Sequence, residues 1–165
     1  MVIDQKRAFE RIFYEKYLKD LSLQKNCPSQ QLLFSKTVTL SAIDYTLSFE
    51  IVDMIRSLGF SFEEFGQNTY IINGVPPQFM NEDEGQAFKE IIELYRINEN
   101  TENKKEGLSK TMAKREATKS LKSLSNIEMG NLINKLFETA MPSISPEGLP
   151  VLKILDLDQL AQLIY

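Results

Sequence analysis

Apolar residues first recur at helical spacing in Ile12, Phe13, Tyr17, Leu18 and Leu21, with Glu10, Glu15, Lys16, Lys19 and Asp20 among them. This spacing predicts an amphipathic helix from Gln5 to Leu23, with Asp4 as its N-cap and the apolar start of the chain ending a strand. Asn26-Cys27-Pro28-Ser29 breaks the pattern. The run Leu32 to Leu40 is apolar and β-branched, which reads as a strand ending at Ser41. Ser41 is then the N-cap of a second helix whose apolar face is Ile43, Leu47, Ile51, Met54, Ile55 and Leu58, closed by Gly59 as the C′ glycine. Phe60 to Phe65, a Gly66-Gln67-Asn68 turn, and Thr69 to Ile72 form a hairpin pattern, ended by Gly74-Val75-Pro76-Pro77.

A third helix is expected from Glu84 to Ile97. The polar stretch from Asn98 to Glu106 reads as a loop and is the best candidate boundary. After it, Leu108, Met112, Ala113, Ala117 and Leu121 line one side of a helix. Ser125 caps another, with the apolar face Met129, Leu132, Ile133, Leu136 and Phe137. A strand from Val151 to Leu155 and a short helix from Asp158 close the chain. The alternation of helices and short strands gives an α+β protein with two lobes, one from the first and last portions and one from the middle.

Composition narrows the chemistry. The 165 residues, 42% hydrophobic and 25% charged, suffice for one core or for two small lobes. No apolar run approaches a membrane span and the start carries no signal-peptide core, so the default location is cytoplasmic. The chain has no histidine, which removes the commonest general base and the commonest nitrogen ligand for zinc. Its one cysteine, Cys27, can form no internal disulfide. A net charge of −4 argues against a surface that grips nucleic acid everywhere, while leaving room for a local basic patch.

Several segments, in one order, resemble the C-terminal dimerisation domain of MutL-type mismatch-repair proteins. Asp4, Gln5, Glu10, Arg11, Ile12, Tyr14 and Glu15 fit the family's DQHA-x2-E-x4-E stretch. Leu58-Gly59-Phe60 and the run from Gly66 to Pro76 resemble its LGF and GxNxxxIxGVP segments. Leu124 to Met129, Leu136-Phe137 and Ser145 to Pro150 follow in family order. The resemblance implies a two-lobed fold: a discontinuous dimerisation lobe of residues 1–29 and 105–165, and an inserted external, regulatory lobe of residues 30–104. It implies strands before the motif as well, so the chain is expected to be part of a longer protein with an N-terminal ATPase.

In nicking members of this family, the motif histidine, the first motif glutamate and residues of ACxxxxK and CPHGRP segments hold divalent metals. Here the histidine position is Lys6, Lys114 stands at the cysteine of ACxxxxK, and the CPHGRP counterpart is Ser145-Pro146-Glu147-Gly148-Leu149-Pro150. Only Glu10 remains as a ligand type. The degenerate set Lys6, Glu10, Lys114, Ser145 and Glu147 therefore predicts no metal, no other cofactor, no catalytic residue and no nicking by this domain, with Glu10 and Glu147 pairing with the lysines instead. The alternative is an endonuclease with a carboxylate-rich Mg²⁺ or Mn²⁺ site from Asp4, Glu10 and Glu147.

Three docking surfaces complete the expectations. Gln30-Gln31-Leu32-Leu33-Phe34 resembles the short peptides that dock on the bacterial sliding clamp, against the plain alternative that Leu32 and Phe34 are strand residues facing a core. Between Lys104 and Lys122 stand seven basic and two acidic residues. Lys110, Lys114 and Lys122 share helical spacing, so they form either a DNA-phosphate strip or a solvated helix face. The family match implies a homodimer using the sheet and helices near the chain ends, including Ile154, Leu160, Leu163 and Ile164, and docking of other mismatch-repair proteins. A homodimerising, partner-docking module of mismatch repair is thus the leading expectation. The metal-dependent nuclease and a DNA-binding module are its alternatives.

Overall fold

The computed structural model describes residues 1–23, 25–80, 82–97 and 103–156. The chain divides into two compact units: Met1–Glu15 with Met112–Tyr165, and Lys16–Thr111. Their edges fall inside two helices, whereas the sequence places the boundaries in the breaker at 29/30 and at 104/105. The expected loop is shorter at its end, because helix α4 already begins at Lys104.

The first unit holds strand β1 (Val2–Ile3), the start of helix α1 (Gln5–Ser22), the end of helix α4 (Lys104–Lys119), helix α5 (Asn126–Phe137) and strand β5 (Leu152–Lys153). β1 and β5 pair antiparallel, with Val2 opposite Lys153 and Ile3 opposite Leu152. Asp4 caps α1 as expected, its carboxylate accepting from the Arg7 amide at 3.0 Å. One core cluster is Ala8, Leu132, Leu136 and Val151, with Ile3, Phe9, Ile12 and Leu124 packed against it, and Met112, Ala113 and Ala117 of α4 are buried as well. Ser125 caps α5 in a reciprocal box, its hydroxyl accepting from the Glu128 amide while the Glu128 carboxylate accepts from the Ser125 amide.

Several apolar positions expected in the core lie elsewhere. Leu121 follows the end of α4 and is exposed, as are Met129, Ile133 and Phe137 on α5. The α5 helix sinks only Leu132 and Leu136 into the core, since so small a unit covers one narrow stripe of the helix. The closing strand is shorter than its apolar run, because only Leu152 and Lys153 find partners on β1. The expected helix from Asp158 lies outside the described residues.

The second unit is built on a three-stranded antiparallel sheet, in the order β2 (Gln30–Thr39), β4 (Thr69–Val75), β3 (Ser61–Glu64). Helices α2 (Ala42–Ser57) and α3 (Glu84–Ile97), the end of α1, the start of α4 and a short 3-10 turn at Pro77–Phe79 complete it. Ser41 caps α2 through the Asp44 amide, and Gly59 follows the helix with φ +100°, where a side chain would also strike the Pro28 carbonyl. β4 alternates inward Tyr70 and Ile72 with outward residues. Phe60, Phe62, Tyr70, Phe79 and Phe88 meet edge to face at ring-centroid distances of 4.9–5.8 Å. Buried Asp44 is paired with Arg96 of α3 at 2.8 Å. Ile43, expected on the inner face of α2, is exposed in its first turn. Among the described residues no helix is long and apolar enough to cross a membrane.

The capping box makes α5 sensitive to acid. Bonds from Lys122, then from the Ser125 amide and hydroxyl, pull the Glu128 carboxyl down to about 2 from 4.5. A depressed carboxyl stabilises the fold above its unfolded value, and that contribution is lost as pH falls toward the folded one. Circular dichroism should therefore show Ser125→Ala costing about 1 kcal/mol at neutral pH. The gap between Ser125→Ala and the parent should narrow as pH drops from 4.5 to about 2.

Candidate functional site

One row of α1 side chains, spaced four residues apart, faces the segment from Glu138 to Val151 that follows α5. Arg7 donates from Nη1 to the Pro150 carbonyl at 2.8 Å, and Arg11 donates from Nε to the Ile144 carbonyl at 2.6 Å. Glu15 receives the Ala140 amide on both carboxylate oxygens, at 3.1 and 2.9 Å. Arg11 is itself buried, with its guanidinium 3.6 Å from Glu15 and over the Tyr14 ring. Its charge is thus matched by a carboxylate, a carbonyl and an aromatic face, which offset the cost of burial. Sequence spacing marked Arg11 and Glu15 as motif positions without revealing that they hold this segment. The only available signal was a motif arginine and glutamate one turn apart.

The same segment turns at Ser145, which is buried. The Ser145 amide donates to the Leu149 carbonyl at 2.7 Å, and its Oγ accepts from the Leu149 amide at 3.2 Å. Gly148, with φ +80°, supplies the left-handed residue of this turn. Ser145 therefore serves the turn, while Glu147 stands exposed on it and meets Lys114 of α4 at 3.2 Å. Lys6 and Glu10 of α1 form the other pair, at 4.0 Å.

The four charged positions of the degenerate set thus come together as two ion pairs. Burial pushes the Glu10 carboxyl above its usual range; Lys6 opposes this, Glu147 adds to it, Lys114 opposes it and Asp4 adds to it. Because burial outweighs the lysines, Glu10 sits in a poorly solvated corner of the cluster, its side chain 12% exposed. Ammonium groups at these positions donate hydrogen bonds and repel cations, so the donor set does not fit a divalent metal. Among the described residues, no group of three or more His, Cys, Asp or Glu is arranged to hold a metal ion.

Other candidate residues separate. Gln30 to Phe34 open edge strand β2. Gln31 stands opposite Gly74 and Lys36 opposite Ile72, so residues 32–35 bulge against Asn73 alone. The bulge buries Leu32 but leaves Leu33 89% and Phe34 77% exposed, which overturns the reading of Phe34 as a core strand residue. Lys110 and Lys114 lie on α4, whereas Lys122 falls beyond its end and bonds Glu128 at 2.8 Å. The three do not share one helical strip. Ile154 is 77% exposed beside β5; Leu160, Leu163 and Ile164 lie outside the described residues. Cys27 borders a small cavity with Tyr17, Asp20, Pro28 and Gln78, and its thiol is raised by burial and by Asp20, which leaves it a poor nucleophile.

Glu10 also gives a pH test. A carboxyl raised in the fold costs stability as pH climbs through its folded value, and Glu10→Gln removes that cost. The melting temperature of Glu10→Gln relative to the parent should become more favourable as pH rises from below 4.5 to neutrality. The opposite trend would mean that pairing with Lys6 outweighs burial.

Comparison with known proteins shows the family. The family model described as the MutL C terminal dimerisation domain matches residues 1–124. A DNA mismatch repair protein MutL of Prosthecochloris aestuarii is 38% identical over 163 residues, covering 97% of this chain and 26% of that protein. Proteins of the same name from Chlorobium phaeobacteroides and Chloroherpeton thalassium are 37% and 34% identical, each over 97% of this chain. The chain spans about a quarter of the length of the curated relatives it matches. It belongs to the MutL C-terminal dimerisation-domain family of mismatch-repair proteins.

Proposed function

We propose that this chain is the homodimerisation and partner-docking part of a MutL protein, without nicking activity of its own, and that Gln30–Phe34 docks on a sliding clamp. The observation that carries the loss of nicking is the pair of lysines at ligand positions. Lys6 meets Glu10 and Lys114 meets Glu147, so the carboxylates that would face a metal are engaged by ammonium groups. Metal-assisted phosphodiester cleavage needs cations that activate water and neutralise the leaving oxygen, and a lysine ammonium coordinates no water. Other mismatch-repair proteins are the remaining partners of this reading.

Support for clamp docking comes from the bulge in β2. A peptide that fills an apolar pocket needs its apolar pair free, and Leu33 and Phe34 are the most exposed apolar side chains of the segment. Gln30 and Gln31 are exposed beside them at the start of the strand.

The two parts are tested separately. Supercoiled plasmid incubated with Mn²⁺ and this protein should stay supercoiled; open circles that vanish with Glu10→Ala would restore the nuclease reading. In a pull-down with the sliding clamp, Gln30→Ala combined with Phe34→Ala should reduce capture by about tenfold or more. Unchanged capture would remove clamp docking while leaving the first part intact.

A further inference from the structure

Among the described residues, Asn73 is the one position of β4 that neither neighbouring strand matches. Towards β3, Gly74 and Ile72 face the consecutive residues Ser61 and Phe62, so Asn73 is a single-residue bulge. Towards β2, Gly74 and Ile72 face Gln31 and Lys36, with residues 32–35 between them. Both ladders slip at the same residue.

The Asn73 side chain spans the gap that the ladders leave. The Ser35 hydroxyl donates to Asn73 Oδ1 at 2.7 Å, and Asn73 Nδ2 donates to the Glu63 carboxylate at 3.1 Å. An ionised carboxylate only accepts, so the amide nitrogen turns to Glu63 and the amide oxygen to Ser35. The start of the β2 segment is tied as well: Gln30 and Gln31 pair with Val75 and Gly74, and the backbones approach so closely that a Cβ on Gly74 would lie 3.1 Å from the Gln30 carbonyl oxygen. Leu32 is buried between these two ties. The segment from Gln30 to Ser35 is therefore held at its start, its middle and its end, and it turns Leu33 and Phe34 outward.

We infer that Asn73 is a positioning residue of the docking segment, and that the partner reads the shape of this bulge rather than a linear peptide. The inference rests on the clamp-docking reading above and adds how that segment is presented. A free peptide loses backbone and side-chain freedom when it enters an apolar pocket, which weakens its binding. On a bulge tied at three points that ordering is complete before the partner arrives. Docking strength then depends on Asn73, which supplies no apolar surface of its own and acts through the Ser35 and Glu63 bonds.

Isothermal titration of purified sliding clamp with the 165-residue chain, and with a synthetic peptide of residues 28–36, tests the inference. The chain should bind about tenfold more tightly than the peptide. Asn73→Ala should bring the chain down to the affinity of the peptide. Asn73→Asp sets a second carboxylate against Glu63 and should do the same, whereas Asn73→Asp combined with Glu63→Gln gives the new carboxylate an amide donor and should restore the parent affinity. A peptide that binds as tightly as the chain, an Asn73→Ala chain that binds like the parent, or a swapped pair that fails to restore affinity would each overturn the inference and leave clamp docking standing. A parent chain that does not bind, or that binds unchanged after Gln30→Ala with Phe34→Ala, would remove clamp docking and this inference with it.

Discussion

The buried guanidinium of Arg11 and the carboxylate of Glu15 hold the segment after α5 against α1. A cluster of small and medium apolar side chains and a two-stranded sheet provide modest hydrophobic stabilisation, at about 25 cal/mol per Å² of apolar surface removed from water. Among the described residues, the segment after α5 has no regular ladder to bind it apart from the β1–β5 pairing and an isolated bridge between Ile144 and Pro150. Its backbone groups are satisfied by α1: Ala140 by Glu15, Ile144 by Arg11 and Pro150 by Arg7. Removing Arg11 would leave Glu15 without its cation and the Ile144 carbonyl without that donor, so the row acts as one unit.

That row also fixes what the charged cluster can become. With the segment held against α1, Glu147 reaches Lys114, while Glu10 meets Lys6 one turn away on the same helix, so each carboxylate has a cation. Such pairs stabilise the fold only weakly where they are half exposed, as Lys114 and Glu147 are. Their consequence is chemical: the positions remain polar and closely grouped, but the positive charge is covalently attached to the protein.

The second unit solves its stability problem differently. Its aromatic cluster and the inward residues of β4 build a dense apolar core, and the Asp44–Arg96 pair ties α2 to α3. A core of this kind tolerates an irregular edge. The bulge in β2 therefore carries Leu33 and Phe34 outward while Leu32 and Val38 on the same strand stay buried. Strand alternation alone would have turned Leu32 and Phe34 to one face; the bulge breaks that alternation and separates them.

Most of the helices could be read from the chain, because capping residues and helical spacing are local. Ser41, Gly59, Ser125 and the span Glu84–Ile97 follow directly from residue types that satisfy or end a helix. The absence of histidine and the lysines at positions 6 and 114 are likewise properties of the sequence alone. Burial was not legible, because apolar spacing identifies a face without saying whether anything covers it. Ile43, Met129, Ile133 and Phe137 share the spacing of core residues and remain exposed. That Glu147 meets Lys114, and that Arg11 and Glu15 hold a segment about 130 residues away, depended on contacts between distant parts of the chain. Only the tertiary structure decides those contacts, since each requires a particular approach of two backbones that no local spacing encodes.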